Sequence, residues 1–231
     1  MTVVMLASCS ESTFEEGNND RGYDYQPLAL GSEWVYQIDS TMYADEGATV
    51  YESSGFLKEA LTATIDEDHY VLTQSYRKDS DAPWVITDVH SVQLTSDQFY
   101  RTEFNRRFAK LVFPVRDGRS WDGNASFDDR VEVDVFGSLL RIYEGWDYDM
   151  TAVDGAVTVL DKTYDDVIEV LHIDREDNIT RSYSKEQYAR GVGMISSSHT
   201  YLETQRTQST APWTEKADKG LIIEKRLVSQ Q

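Results

Sequence analysis

Apolar and polar positions alternate along most of this chain, in short runs that begin near Glu33 and recur to the C-terminus. Trp34-Val35-Tyr36-Gln37-Ile38 is apolar with little interruption. Val50 to Ile65 and Tyr70 to Tyr76 flank Asp66-Glu67-Asp68, a turn signal, so together they predict a long hairpin. Trp84 to Leu94, Phe99 to Phe104 and Phe108 to Val112 continue the meander. The second half predicts strands over Arg130 to Phe136, Leu139 to Val153, Val157 to Leu160, Val167 to Ile173, Thr180 to Tyr188, Met194 to Leu202 and Leu221 to Val228. A period of two in short runs is what half-buried antiparallel strands require. No segment carries a sustained 3.6-residue stripe. Ser184-Lys185-Glu186-Gln187 has the form of a capping box, but its flanks keep the strand period. The pattern predicts an all-β fold: a large antiparallel sheet curved into an open barrel, or two packed sheets, with little helix.

The pattern also repeats itself. Pro27, Gly31 and Trp34 stand at the same spacing as Pro114, Gly118 and Trp121. The expected reading is a turn whose glycine sits where a side chain would clash, followed by a tryptophan dropped into the core at a strand start. Two related halves, 27–113 and 114–231, then share one core, since no linker-like stretch divides them.

Composition changes the picture in three ways. Aromatic residues make up 12% of the chain, which favours strands. A formal charge of −19 excludes nucleic acid as a partner, because binding there depends on Lys and Arg meeting phosphates. A single cysteine excludes an intramolecular disulfide framework.

That cysteine has a telling position. Leu6-Ala7-Ser8-Cys9 follows the apolar Val3-Val4-Met5 and resembles a bacterial lipobox, in which the cysteine becomes the acylated amino terminus. The resemblance implies a palmitate-bearing Cys9, a membrane as partner through that residue, and anchoring at the outer membrane on its periplasmic face or at the cell surface. A full signal needs a basic n-region and an apolar run of about 7–15 residues, so the true start is expected upstream and 1–9 is read as a signal remnant. Ser10 to Gln26 carries Glu11, Glu15, Glu16, Asp20 and Asp24 against Arg21 alone, and is read as a disordered acidic tether. A single all-β domain is expected over 27–231.

Within that domain, Pro27-Leu28 with Gly31 and Trp34-Val35-Tyr36, Phe113-Pro114-Val115 with Gly118 and Trp121, Lys162 to Val170, and Tyr188-Ala189-Arg190-Gly191-Val192-Gly193-Met194-Ile195 are similar to segments of uncharacterised Gram-negative outer-membrane lipoproteins. The last two stretches also resemble curved-sheet periplasmic proteins akin to lipoprotein carriers. That resemblance implies an open antiparallel barrel around an apolar hollow, and it carries no catalytic residues. Carriers of this kind have helices closing the barrel mouth, and none is evident here.

Candidate chemistry is sparse. His69, His90, His172 and His199 are too widely spaced for a local metal pair. No nucleophile elbow, phosphate-cradling loop or CxxC occurs. The acidic groups Asp66-Glu67-Asp68, Asp147 with Asp149 and Asp154, Asp165-Asp166, and Asp174 with Glu176 and Asp177 lack calcium-loop spacing and read as solvated turns. No catalytic residue, metal site or cofactor is expected. One aromatic ladder, Tyr143, Trp146 and Tyr148, is the candidate ligand-binding surface, able to stack on sugar rings or line an apolar hollow; core packing is its other use. These readings converge on a non-enzymatic lipoprotein that binds a small apolar or sugar ligand, or another envelope protein. A structural component docking on envelope proteins and a carboxylate-dependent hydrolase are the alternatives.

Overall fold

The computed structural model describes residues 20–153 and 156–231; Cys9, most of the expected tether and Asp154 lie outside them. In chain order the first strands are β1 (Glu33–Ala44), β2 (Thr49–Asp66), β3 (His69–Arg77), β4 (Val85–Leu94), β5 (Gln98–Glu103) and β6 (Arg106–Val112). They are followed by β7 (Arg119–Trp121), a hairpin of β8 (Val133–Val135) and β9 (Ser138–Leu140), β10 (Tyr148–Val153), and a hairpin of β11 (Val157–Val159) and β12 (Lys162–Tyr164). Last come β13 (Val167–Glu176), β14 (Thr180–Ala189), β15 (Gly193–Glu203), a four-residue helix α1 (Trp213–Lys216) and β16 (Lys219–Gln230).

Twelve of these strands make one antiparallel sheet in the order β6-β5-β4-β3-β2-β1-β16-β15-β14-β13-β10-β7. The first and last long strands pair from Trp34–Gln230 to Tyr43–Gly220. The two free edges meet: the Ala109 amide donates to Gly123 O at 2.8 Å, and Trp121 Nε1 donates to Ala109 O at 2.7 Å. The sheet is thus nearly closed into a barrel, and the alternative of two packed sheets falls. β-Bulges supply the curvature, as between Leu61 and Ala63 and between Leu171 and Ile173.

A ring of twelve strands encloses more space than its own side chains fill, since eight strands already leave an interior that side chains just fill. One end is plugged. Tyr23–Tyr25 form a 3-10 turn there, with Tyr25 buried and Tyr23 edge-on to Phe113 at 4.8 Å. Arg190 fastens this segment by gathering Asp20 at 2.9 Å, Asp24 at 2.6 Å and Asp166 at 2.6 Å. The folded body therefore begins by Asp20 rather than at Pro27. The acidity that marks residues 20–26 as tether is here paired with Arg190, and two tyrosines supply the apolar area. The β11–β12 hairpin closes the same end with Val159 and Tyr164. The opposite end is a mouth, flanked by the β8–β9 hairpin, whose Val135 and Leu140 pack on Ile142, Tyr201 and Leu221.

Other expectations change in detail. The run Leu139 to Val153 is two strands, because Gly145 turns the chain at φ 75 and its amide is held by Asp129 at 2.9 Å. Arg130 to Phe136 shortens to β8, since Arg130 pairs with Asp128 inside a turn. The repeated Pro-Gly-Trp motif opens β1 and β7, which head the two six-stranded halves of the ring. Its glycines are not there to avoid a clash: nothing lies within 4 Å of a Cβ at Gly31 or Gly118. They serve the positive φ of 90 and 72 that these turns adopt.

Gly123, at the seam, is the glycine that close approach does demand. A Cβ there would lie 2.4 Å from the ring of Tyr148, which is fully buried and has no room to move. Gly123→Ala is expected to cost about 1–3 kcal/mol by overpacking, read as a lower urea midpoint at unchanged m-value.

Candidate functional site

Inside the barrel lies a cavity of about 490 Å³, within the range of about 300–1,000 Å³ typical of small-molecule sites. Its middle is crossed by charged side chains that share strand parity with the apolar interior. Glu59 stands opposite Trp34 and Gln74, between the inward Leu57 and Leu61. Arg101 stands opposite Val92 and Phe108. Arg101 grips Glu59 with both ends of its guanidinium, at 2.7 and 2.8 Å, and bonds Glu103 through Nε. Gln74 donates to Glu59 at 2.8 Å and contacts His90 at 3.2 Å. Across the barrel, Lys110 meets Glu186 at 2.7 Å, and the Tyr188 hydroxyl donates to the same carboxylate at 2.6 Å.

Electrostatics follows from this pairing. Burial pushes Glu59 up, but Arg101, Lys225 and Gln74 outweigh it and hold the carboxyl at about 2. Burial likewise opposes ionisation of Glu103 and Glu186, and Arg101 for the first and Lys110 for the second keep both below the usual carboxylate range. The three carboxylates face Arg101, Lys110 and Lys225, so the interior is balanced in charge despite the acidic exterior.

Between this ionic floor and the mouth is a vestibule with an aromatic and histidine wall. The bulge in β13 leaves His172 without a cross-strand partner; in phase with the inward Ile168 and Val170, its ring is buried where Nδ1 lies 2.9 Å from Ser184 Oγ and Nε2 lies 3.5 Å from Glu186 without a formed hydrogen bond. His172 stacks on Trp146 at 5.0 Å, and His199 meets Trp146 edge-on at 5.3 Å. Burial, with His172 and Lys110 nearby, lowers His199 to about 3; burial also lowers His172. Both rings are neutral at pH 7. Burial and the Glu103 charge raise the Tyr143 hydroxyl to about 12.

Several polar groups lining this vestibule keep hydrogen-bonding capacity in hand. Lys225 approaches Glu59 no closer than 3.8 Å. Glu103 engages Arg101 through one oxygen only. The set holds donors and acceptors together.

Of the aromatic ladder, Tyr143 and Trp146 line the cavity. Tyr148 is fully buried behind them, with its hydroxyl on Asn124 at 3.0 Å. Among the carboxylate groups, Asp177 caps its own turn through Ile179 and Thr180, and Asp174 pairs with Arg181. Among the described residues no three His, Cys, Asp or Glu side chains converge to hold a metal ion. The ionic floor was not anticipated from sequence, although charged residues in phase with apolar ones in Leu57-Lys58-Glu59-Ala60-Leu61 and Phe108-Ala109-Lys110-Leu111-Val112 are its signal.

No protein-family model and no curated protein matches the chain. Among solved structures it is similar to a candidate lipoprotein from Parabacteroides distasonis ATCC 8503, at TM-score 0.39 and 11% identity, covering 90% of this chain and 98% of that one. A candidate exported protein with YmcC-like fold from Bacteroides fragilis NCTC 9343 is similar at TM-score 0.38 and 10% identity, over 88% of this chain and 98% of the other. Lipovitellin is similar at TM-score 0.36 and 10% identity, over 89% of this chain and 26% of its own.

Glu59→Gln leaves the Arg101 charge buried with half its partner, and Lys110→Met does the same to Glu186; each is expected to lose about 3–5 kcal/mol in urea unfolding. Acid should act earlier than carboxylates alone would dictate. The unfolded chain protonates its histidines near 6.5, whereas folded His199 resists until about 3, so their contribution is intact above pH 6.5 and drains away as pH falls. Glu59 adds a second loss from 4.5 down toward 2. In urea midpoints measured from pH 8 to 4, the double variant His172→Gln, His199→Gln should show a smaller decline than wild type between pH 6.5 and 5.

Proposed function

We propose that this protein is a non-enzymatic binding protein of the cell envelope, tethered to the outer membrane through acylated Cys9, whose vestibule holds a saccharide. The observation that carries the ligand class is the pairing of an aromatic wall with an ionic floor that offers both donors and acceptors. An apolar ligand would strip water from Lys225 and Glu103 and return no hydrogen bonds, an unfavourable exchange of several kcal/mol. Sugar hydroxyls donate and accept, so they satisfy the ammonium and the carboxylate at once, while sugar C–H faces pack on Trp146 and Tyr143. Balanced interior charge favours a neutral saccharide over an acidic one.

Binding is favoured over hydrolysis by the state of the carboxylates. A glycosidase needs one carboxyl raised to act as acid, and Glu59, Glu103 and Glu186 are all lowered. For location, the supporting feature is Leu6-Ala7-Ser8-Cys9 itself; incorporation of labelled palmitate, abolished by Cys9→Ala, is the expected result.

The ligand is tested by titrating linear malto-, cello-, manno- and galacto-oligosaccharides, from disaccharide to hexasaccharide, against tryptophan fluorescence. Saturable quenching by at least one series is expected. Lys225→Met removes a charged hydrogen-bond donor worth about 1.5–3 kcal/mol and should weaken that binding about tenfold or more. Absence of binding across the whole panel refutes the saccharide reading.

A further inference from the structure

Two hairpins meet the cavity mouth with phenylalanine at their tips. Phe104 and Asn105 join β5 to β6 with φ of 48 and 60; Phe136 and Gly137 join β8 to β9 with φ of 49 and 82. Positive φ at both central residues marks type I′ turns, whose first position favours Asn, Asp or Gly. A bulky aromatic there is conformationally costly, and outliers of this kind cluster where ligands are held. Neither ring recovers that cost by full burial: Phe104 is 64% exposed and Phe136 56% exposed, yet both line the cavity. Tyr51, from β2, stacks on Phe136 at 4.8 Å and 21°, extending an aromatic rim outward.

The far end of the barrel is sealed by Tyr25 and the turn that carries it, and the Arg101–Glu59 pair crosses the cavity between that end and the mouth. A chain cannot thread this barrel, nor lie across a groove in it. It can only enter by an end. We propose that the vestibule takes the terminal unit of a saccharide chain, and that the following units leave between Phe104 and the Tyr51–Phe136 stack, which bind them as they exit. This rests on the saccharide reading above and adds to it a direction, a free chain end and an outer subsite.

The test uses the full chain, the same oligosaccharide panel and the corresponding cyclodextrins. The variant Phe104→Asn with Phe136→Asn places at each tip a residue that type I′ turns favour, so its Tm should hold or rise. Its loss of affinity is expected to grow with chain length, to about fivefold to tenfold for hexasaccharide, as removal of aromatic contacts predicts. Lys225→Met, at the vestibule floor, should instead weaken every length by a similar factor, and a cyclic glucan should bind far more weakly than its linear counterpart. Equal losses at all lengths in the tip variant, or a cyclodextrin that binds as tightly as linear maltohexaose, would overturn end-on recognition while leaving saccharide binding in place. Failure of wild type to bind any member removes both.

Discussion

The contact on which this barrel depends is the grip of Arg101 on Glu59. These residues lie on β5 and β2, with β4 and β3 between them in the sheet, so their bond runs across the interior rather than along a ladder. Lys110 and Glu186 do the same between β6 and β14. The second pair spans the weakest part of the ring. Between β6 and β7 only the Ala109 amide and the Trp121 indole supply hydrogen bonds across the seam among the described residues. Buried ion pairs are a poor source of net stability, because desolvation consumes most of the Coulombic gain. Their effect here is geometric. They fix the width of a ring that apolar side chains alone would collapse or leave ambiguous.

That fixed width explains how one interior performs two tasks. Below the floor, Trp34, Leu61, Phe99 and Met194 belong to the apolar core at the plugged end and also line the inner part of the cavity. Above it, the same parity of inward side chains delivers Lys225, His199 and Ile223 to a space left open. The change from core to site occurs within single strands: in β16, Leu227 is fully buried, Lys225 reaches the floor and Ile223 lines the vestibule. In β13, His172 keeps the inward phase of Ile168 and Val170 and is buried against Trp146, which lines the cavity.

Much of this was legible in the chain and some was not. Strand existence followed from alternation because each strand buries one face, and the Asp66-Glu67-Asp68 turn is where the hairpin reverses. Closure was not legible, since it rests on Trp121 reaching Ala109 across the seam, a contact with no local signature. The segment from Asp20 to Gln26 misled because its acids were counted without their partner, Arg190, far along the chain. The ladder Tyr143, Trp146, Tyr148 was read within one strand, Leu139 to Val153, but Gly145 turns the chain within it, so two rings reach the cavity and the third is buried behind. Glu59, Arg101 and Lys110 were overlooked because a charge on a strand is ordinarily assigned to the wet face; only its phase with Leu57, Phe99 and Phe108 betrays it.

The placement of the N-terminal segment gives the vestibule a direction. Asp20 and Tyr25 sit at the plugged end, opposite the mouth. β1 is 12 residues long, and strands of that length tilted as in barrels put the two ends about 30 Å apart. A chain end approaching from solution meets Phe104 and Phe136 first, and the charged floor afterwards.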